Sequence, residues 1–240
     1  PLVVDITQLY DQFAYGIEQH PLAIRHFVNW MASSFDSIPK ALFLFGKSVH
    51  PQTVRQMPSL RNQYLVPTWG TPSSDILLAV NPLSSHYEPI LPVGRLSVLP
   101  NQEANAYLQK IKDYESNAPA EWMKHILHFG GGSDAQQQNE FASYLNYYKS
   151  LLENPYFGGT VETFLKTTSL PIQITKTDSI KQLINNGVSL ITFFGHGSSS
   201  GFDQNIDYPS AYDNTGRYPL ISAASCFSGD VHLPRPWRLP

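Results

Sequence analysis

Cysteine is almost absent from this sequence, because the 240 residues contain only one, Cys226. A single cysteine excludes a disulfide framework, and it excludes a zinc site built from several thiolates. A lone cysteine is most often a small buried apolar residue, so a chemical role needs support from its surroundings. The residues that lead into Cys226 therefore decide how it is interpreted.

Charge is also scarce, since 15% of the residues are charged and the formal net charge is -3. Such a composition has no basic excess for binding nucleic acid or an anionic membrane. No apolar run approaches the roughly 20 residues of a membrane-spanning helix, and no signal peptide begins the sequence. Pro1 is not a translation start. We therefore expect a piece of a longer polypeptide, and the missing signal peptide does not exclude secretion.

Two short apolar runs each lead into a reactive residue. Residues 189–194 are followed by His196 after one glycine, and residues 218–224 are followed by Cys226 after one serine. Apolar runs of this length, bounded by Gly and Ser, are typical of strands buried in a parallel sheet. Functional groups gather at the carboxyl ends of such strands. The sequence therefore predicts that His196 and Cys226 share one edge of a sheet.

An imidazole beside a thiol is a recognisable catalytic pair. The base takes the thiol proton or holds the thiolate as an ion pair, which activates the sulfur as a nucleophile. We predict His196 as the base and Cys226 as the nucleophile, with the backbone N–H groups of Gly197 and Cys226 as an oxyanion hole. Asp134 or Glu140 is a candidate for orienting the imidazole, although acidic residues near a helix start are commonly capping groups.

Two other interpretations of these residues are open. In the first, Cys226 is a buried structural cysteine and His196 is satisfied by the backbone. In the second, Ser199 is the nucleophile of a G-x-S-x-G motif, with Asp213 or Asp230 and then His232 completing a serine triad. The position of Ser199 argues against this motif, because the elbow serine normally follows its strand directly.

The remaining sequence predicts an α/β protein in two halves, with a boundary near Pro119. Helices are expected where apolar residues recur at a spacing of three and four, and strands where short apolar runs lie between turn residues. The expected helices are 21–35, 101–114, 133–152 and 179–186. The expected strands are 41–45, 64–66, 76–80, 91–96, 125–129, 170–175, 189–194 and 218–224. The strand at 170–175, the helix at 179–186 and the strand at 189–194 form an expected βαβ unit.

Residues 46–48, Gly-Lys-Ser, imitate the end of a phosphate-binding P-loop. The first glycine of that motif is replaced by Ala41. Without this glycine the backbone cradle for phosphate is missing, so we do not predict nucleotide binding.

Several segments in order resemble peptidase family C25, the gingipains, which are caspase-type cysteine peptidases of bacterial surfaces. The segments that carry this resemblance are 9–16 (LYDQFAYG), 92–96 (PVGRL), 112–115 (KDYE) and 194–197 (FGHG). Segments 205–209 (NIDYP) and 214–219 (NTGRYP) further resemble the sortase-like subgroup of the type IX secretion system. The resemblance covers about residues 5–232, but the caspase Q-A-C-x-G box is absent.

The resemblance implies an α/β caspase-like fold with mostly parallel sheets flanked by helices. It implies an N-terminal subdomain at residues 1–118 and a catalytic subdomain at residues 119–240. In the resembled fold, further strands follow the nucleophile. We therefore expect a C-terminally truncated catalytic domain with an unfinished substrate pocket, which alone is weakly active or inactive.

For function, the resemblance implies a cysteine peptidase or transpeptidase that needs no cofactor for catalysis. Its partners would be protein or peptide substrates, including secreted cargo with a C-terminal signal, and other components of the secretion system. Its location would be extracellular or on the outer membrane of a Bacteroidetes-type bacterium. Structural calcium occurs in gingipains, with Asp203, Asp207 and Asp213 as oxygen ligands in principle. Some relatives act without catalysis, as scaffolding parts of the secretion machinery.

Overall fold

Helices and strands are interspersed along the chain, as expected for an α/β protein. The computed structural model describes residues 1–81, 87–99, 102–174, 178–198, 201–205 and 209–235. The helices are α1 (Ile6–Phe13), α2 (Leu22–Ser34), α3 (Pro51–Gln56), α4 (Gln102–Glu115), α5 (Ala135–Leu152) and α6 (Asp178–Asn186). The strands are β1 (Leu42–Phe45), β2 (Val93–Leu96), β3 (His125–Gly130), β4 (Thr160–Leu165), β5 (Gln173–Ile174), β6 (Leu190–Phe194), β7 (Gly197–Ser198), β8 (Gly201–Phe202), β9 (Gln204–Asn205) and β10 (Leu220–Ala224). None of the described helices is long and apolar enough to cross a membrane.

Packing divides the chain into two compact units. The first unit contains residues 1–104 and the segment that begins at Asp230, and the second contains residues 105–229. We call residues 230–235 the return segment, because they bring the chain back to the first unit. The predicted division after residue 118 differs from this packing in two respects. Most of α4 belongs to the second unit, and the return segment belongs to the first.

The first unit is built around the apolar faces of α1 and α2. Asp5 caps α1 by accepting a hydrogen bond from the backbone N–H of Thr7 at 2.9 Å, which satisfies a free helix donor. The strands β1 and β2 pair in parallel beside these helices. The buried core of this unit comprises Leu9, Tyr10, Ala14, Ala23, Ile24, Phe27, Val28, Met31, Leu44, Leu78, Ala79 and Leu91.

The second unit is organised by a four-stranded parallel sheet in the order β10-β6-β3-β4. β3 is its central buried strand, with Ile126 to Gly130 all buried. On α6, Ile180 and Ile184 are spaced one turn apart and both turn into the core. The core of this unit comprises Leu127, Phe129, Ile180, Ile184, Val188, Ile191 and Phe193. Helix and sheet are therefore joined by one apolar layer.

β10 forms one edge of this sheet in the described part of the chain. It pairs with β6 on one side, and its side chains Leu220 and Ile221 are 70% and 61% exposed. An apolar edge strand of this kind is open to pairing with a further strand.

The expected βαβ unit at residues 170–194 is wrong in its first strand. Only β5 forms there, and it pairs with β9 outside the four-stranded sheet. The strand next to β6 is instead β3, which comes about 60 residues earlier in the sequence. The rule that successive strands are neighbours therefore failed at this point.

Other local expectations were also corrected. Residues 75–79 form a 3-10 helix rather than a strand, and no strand forms at 64–66. A short apolar run does not distinguish these alternatives. The N-cap of α5 is Asp134. The helices α1 and α3, the strand β4 and the short strands β7, β8 and β9 were not predicted.

Candidate active site

The turn that carries His196 follows directly from the end of β6, and a buried aspartate fixes its backbone. The N–H of His196 donates to Oδ1 of Asp203 at 3.1 Å, and the N–H of Asp203 donates to the carbonyl of His196 at 2.8 Å. Between them, β7 and β8 form a small antiparallel hairpin. His196 itself is exposed at the tip of the sheet.

Asp203 also connects this turn to the ends of two other strands. Its Oδ2 accepts from the N–H of Gly132 at 2.7 Å and lies 3.5 Å from Nζ of Lys166. The carboxylate and the ammonium are 6% and 1% exposed. A side chain at Gly131 or Gly195 would collide with this carboxylate, which explains both glycines.

The imidazole of His196 contacts a glutamine rather than a carboxylate among the described residues. Its Nε2 lies 2.9 Å from Oε1 of Gln137, and Oε1 also accepts from the N–H of Ser133 at 3.0 Å. The backbone donor identifies this atom of Gln137 as the oxygen, so Nε2 must donate the proton. Phe141 packs edge-on against the ring at 5.8 Å. In the neutral ring, Nδ1 is therefore free to accept a proton.

Cys226 follows the neighbouring strand in the matching register. β6 and β10 pair with Phe194 opposite Ala224, and the N–H of Gly195 donates to the carbonyl of Ala224 at 3.3 Å. The thiol is exposed and forms no disulfide. Phe227, directly after it, has a φ of 59°, in the left-handed region that a bulky residue rarely adopts. The nucleophile candidate is thus carried on a sharply turned loop.

Gly197 lies directly against the backbone of Cys226. A β-carbon at Gly197 would collide with the carbonyl oxygen of Cys226 and with Oγ of Ser225. The structure therefore brings together the turns that carry His196, Gly197 and Cys226, at the carboxyl ends of adjacent parallel strands. This is the arrangement that the two apolar runs predicted.

The two acidic candidates for orienting the imidazole have other partners. Asp134 caps α5 by accepting from the N–H of Gln137 at 2.9 Å, and Glu140 accepts from the hydroxyl of Tyr144 at 3.0 Å. Sequence analysis missed Gln137, although it lies between these acids on the first turn of α5. A glutamine gives no charge signal in the sequence, so only its position in the fold identifies it.

The histidine and one aspartate of the serine alternative have other partners among the described residues. His232 is buried, its Nδ1 is hydrogen-bonded to Oγ of Ser48, and its Nε2 lies 4.0 Å from Asp75. Asp230 interacts with His50 at 3.1 Å. Ser199 lies outside the described residues.

The residues named for calcium do not form an oxygen cage in the described part of the chain. The Asp203 carboxylate is already neutralised by Lys166 and hydrogen-bonded by backbone N–H groups. Asp213 is exposed, and Asp207 lies outside the described residues. No cluster of three or more His, Cys, Asp or Glu suited to a metal occurs among the residues described. Asp203 is therefore an ion-pair partner and does not fit a calcium ligand.

Comparison with known proteins agrees with this arrangement of elements. The sequence model of peptidase family C25 matches residues 1–236, whereas a search of the curated proteins gives no significant match. Among solved structures, the Arg-specific cysteine proteinase gingipain R matches with a TM-score of 0.66 at 17% identity. The match covers 96% of this chain and 54% of that chain, so this chain spans about half the length of gingipain R.

At this identity, the likeness to gingipain R concerns the fold, and it confirms the predicted α/β architecture with mostly parallel strands. The family match rests on the sequence itself and extends over nearly the whole chain. This chain therefore belongs to peptidase family C25.

Proposed function

We propose that this chain is the catalytic part of a cysteine peptidase, with Cys226 as the nucleophile and His196 as the general base. The observation that carries the proposal is the parallel pairing of β6 with β10. Because the two strands run in the same direction, His196 and Cys226 follow them at the same edge of the sheet. The contact of Gly197 with the Cys226 backbone supports it, as does membership of peptidase family C25.

The reaction would proceed through a thioester. The thiol proton passes to Nδ1 of His196, and the sulfur attacks the carbonyl carbon of the scissile peptide bond. The backbone N–H groups of Gly197 and Cys226 stabilise the resulting oxyanion. When the C–N bond breaks, the imidazolium returns the proton to the leaving amine. Water then hydrolyses the thioester, or an amine acceptor takes the acyl group, and the thiol is restored.

Gln137 would orient the base without adding charge. Its Oε1 holds the Nε2 proton of His196, which leaves Nδ1 as the proton acceptor. A neutral amide stabilises the imidazolium less than a carboxylate would, because it has no opposite charge. The contact with Gln137 therefore orients His196 as a base but stabilises its protonated form less than a carboxylate would.

We extend the proposal to a sortase-like role in type IX secretion. The support is the likeness of segments 205–209 and 214–219 to that subgroup. In this role the enzyme removes the C-terminal signal of secreted cargo and transfers the acyl group to a surface acceptor. It would act outside the cell or on the outer membrane of a Bacteroidetes-type bacterium, together with other secretion components.

The chemistry is tested by substitution in the full-length protein. Cys226→Ser and His196→Ala should each lower kcat/KM for peptide cleavage about a thousandfold or more, and the double variant should be scarcely worse. Ser199→Ala is the matched control and should cost little. The thiol should also react with iodoacetamide near neutral pH faster than an unperturbed thiol. An inactive Ser199→Ala with an active Cys226→Ala would favour the serine hydrolase instead.

The biological role is tested by comparing protein termini in cells that carry the full-length protein or its Cys226→Ala variant. Retained C-terminal signals on many secreted proteins in the variant would support the sortase role. Scattered differences across surface proteins would indicate a general endopeptidase. Identical termini in both strains would contradict catalysis and favour the scaffolding role that some relatives have.

A further inference from the structure

A serine, a histidine and an aspartate are joined by polar contacts within the first unit. Oγ of Ser73 lies 2.9 Å from Nδ1 of His50, and Nε2 of the same ring lies 3.1 Å from Oδ1 of Asp230. All three residues belong to the first unit. They come from three separate parts of the chain, so no spacing in the sequence indicates that they meet.

The two contacts of the His50 ring determine which atom donates in each of them. A carboxylate accepts but does not donate, so Nε2 carries the proton of the neutral ring. Nδ1 is then an acceptor, and the hydroxyl of Ser73 donates to it. The hydroxyl also lies 3.4 Å from the carbonyl of Gly70, which is a longer contact. A serine that donates to an imidazole, which in turn donates to an aspartate, has the hydrogen-bonding order of a Ser-His-Asp triad.

The backbone holds each member of this triad in place. Ser73 lies in the turn at residues 69–74, in which the N–H of the last residue donates to the carbonyl of the first at 2.7 Å. His50 directly precedes α3, and its N–H donates to the carbonyl of His232 at 3.1 Å. Oδ1 of Asp230 accepts from the N–H of His232 at 3.3 Å, which orients the carboxylate. The imidazole and the carboxylate are therefore both attached to the backbone of the return segment.

Ser73 and His50 line a cavity of about 360 Å³, whose other walls come from α3 and residues 70–72. The described residues that line it include no carboxylate, lysine or arginine. Gln52 and Gln56 lie at this cavity and carry amide N–H groups, which can donate to an oxyanion. Its volume is near the lower end of the range for ligand pockets. The cavity therefore suits a small uncharged molecule.

We propose that Ser73, His50 and Asp230 form a further catalytic site, which hydrolyses small uncharged esters and does not depend on Cys226. The hydroxyl proton of Ser73 passes to Nδ1 of His50, and Oγ bonds to the carbonyl carbon of the ester. The C–O bond to the leaving alkoxide breaks, and the imidazolium protonates that alkoxide. Water then attacks the acyl-serine, which releases the acid and restores the hydroxyl. Asp230 is a positioning residue, because it holds the ring in the required tautomer without touching the ester.

The test uses the full-length protein with Cys226→Ala, so that this thiol does not contribute. A fluorophosphonate probe should label Ser73, because the activated hydroxyl displaces fluoride from phosphorus, and mass spectrometry of peptides locates the label. Ser73→Ala should abolish this label and lower the rate of p-nitrophenyl acetate hydrolysis about a hundredfold. Ser74→Ala is the matched control, since it makes the same change one residue further on. It should leave both the label and the hydrolysis unchanged.

Two further variants separate catalysis from a purely structural role, and they keep the proposal testable if Ser73→Ala does not fold. In His50→Gln the side chain remains polar but does not take up the serine proton. In Asp230→Asn the amide can donate to Nε2, which moves the ring proton to Nδ1 and leaves the hydroxyl without an acceptor. Each variant should slow the labelling of Ser73 about a hundredfold per folded molecule. A purely structural group would change thermal stability and leave this rate unchanged.

The absence of label on Ser73 in the folded protein would overturn the proposal. So would equal labelling rates in His50→Gln and Asp230→Asn, which would indicate an ordinary serine beside a structural ion pair. Hydrolysis of p-nitrophenyl acetate that is unchanged in Ser73→Ala would also overturn it. Every measurement is made without the Cys226 thiol, so its outcome is independent of whether the cysteine peptidase proposed above is correct.

Discussion

At the scale of single residues, the orientation of His196 depends on the neutral amide of Gln137. The amide oxygen receives two donors, the imidazole Nε2–H and the backbone N–H of Ser133. The backbone donor keeps the glutamine from rotating, so the oxygen stays directed at the ring. The nearby acids Asp134 and Glu140 are bound elsewhere on α5. The uncharged side chain of Gln137 therefore contacts His196 where the sequence predicted a carboxylate.

Gln137→Leu should lower kcat about ten- to a hundredfold with little change in stability, because the base loses its orienting acceptor. Gln137→Glu should retain most activity, and the acid limb of its pH–rate profile should move to higher pH. The reason is that a carboxylate stabilises the imidazolium, which must lose its proton before it can act as a base. The measurement is the pH dependence of kcat/KM. Gln136→Leu, an exposed neighbour on α5, is the matched control. Equal rates in Gln137→Leu and the wild type would refute the role.

At the scale of elements, one buried carboxylate joins the loops that leave three strands. Asp203 accepts hydrogen bonds from the loop after β3, through Gly132, and from the turn after β6, through His196. It also pairs with Lys166, directly after β4. The N–H of Lys166 in turn donates to the carbonyl of Gly130 at 2.7 Å. The carboxyl ends of the strands are therefore fastened to each other beneath the candidate active site.

Asp203→Asn should destabilise the second unit by about 3–5 kcal/mol, because it leaves the buried ammonium of Lys166 without a counter-charge. Adding Lys166→Met should recover part of that loss, since the unpaired charge is then removed. Urea unfolding of the single and double variants measures both effects. The control is Glu153→Gln at the half-exposed Lys149–Glu153 pair, which should cost less than about 1 kcal/mol. A double variant that is no more stable than Asp203→Asn would contradict this account.

At the scale of the whole molecule, a buried histidine makes the stability of the first unit depend on pH. Burial is the main cause that lowers the pKa of His232 from 6.5 to about 4. The charges of Arg95 and His50 lower it further, while Asp75 and Asp230 oppose them. The imidazole is therefore neutral in the native state under most conditions.

The unfolded chain takes up this proton near pH 6.5, whereas the native state takes it up only near pH 4. Between these values the unfolded state binds more protons, so native stability is complete above pH 6.5 and falls as the pH decreases toward 4. The loss attributable to His232 is about 3 kcal/mol. His128 in the second unit acts in the same direction, because burial lowers its pKa.

Urea unfolding at a series of pH values should show this decrease, and His232→Gln should remove a large part of it. Glutamine keeps a polar partner for Ser48 but cannot be protonated in this range. An identical pH dependence in the variant and the wild type would contradict the assignment to His232.

The sequence by itself determined the α/β class and the local setting of His196 and Cys226. Residues 189–194 and 218–224 predicted two buried strands. β6 and β10 are adjacent and parallel as expected, but the prediction of burial is wrong for β10, which is an exposed edge strand. The positions of these strands were predictable because a short apolar run bounded by Gly and Ser has a strong local preference for the extended conformation. His196 and Cys226 follow their strands directly, so their positions were predictable as well. The run at residues 76–80 is also short and apolar, but a 3-10 helix forms at Asp75–Ala79, since a local pattern does not decide between short apolar elements.

Only the tertiary structure decided the long-range polar contacts within each unit. Gln137 contacts His196 from 59 positions away, Asp203 meets Gly132 from 71, and Lys47 holds Val231 from 184. Each of these contacts joins residues that are distant in the sequence, so no periodicity or spacing indicates them. In the folded chain each of these polar atoms has one set of partners within reach. A buried polar group without a partner is costly, so these contacts form. The preference of a segment for helix or strand depends on neighbouring residues in the sequence. The pairing of distant polar groups depends on how the folded chain packs.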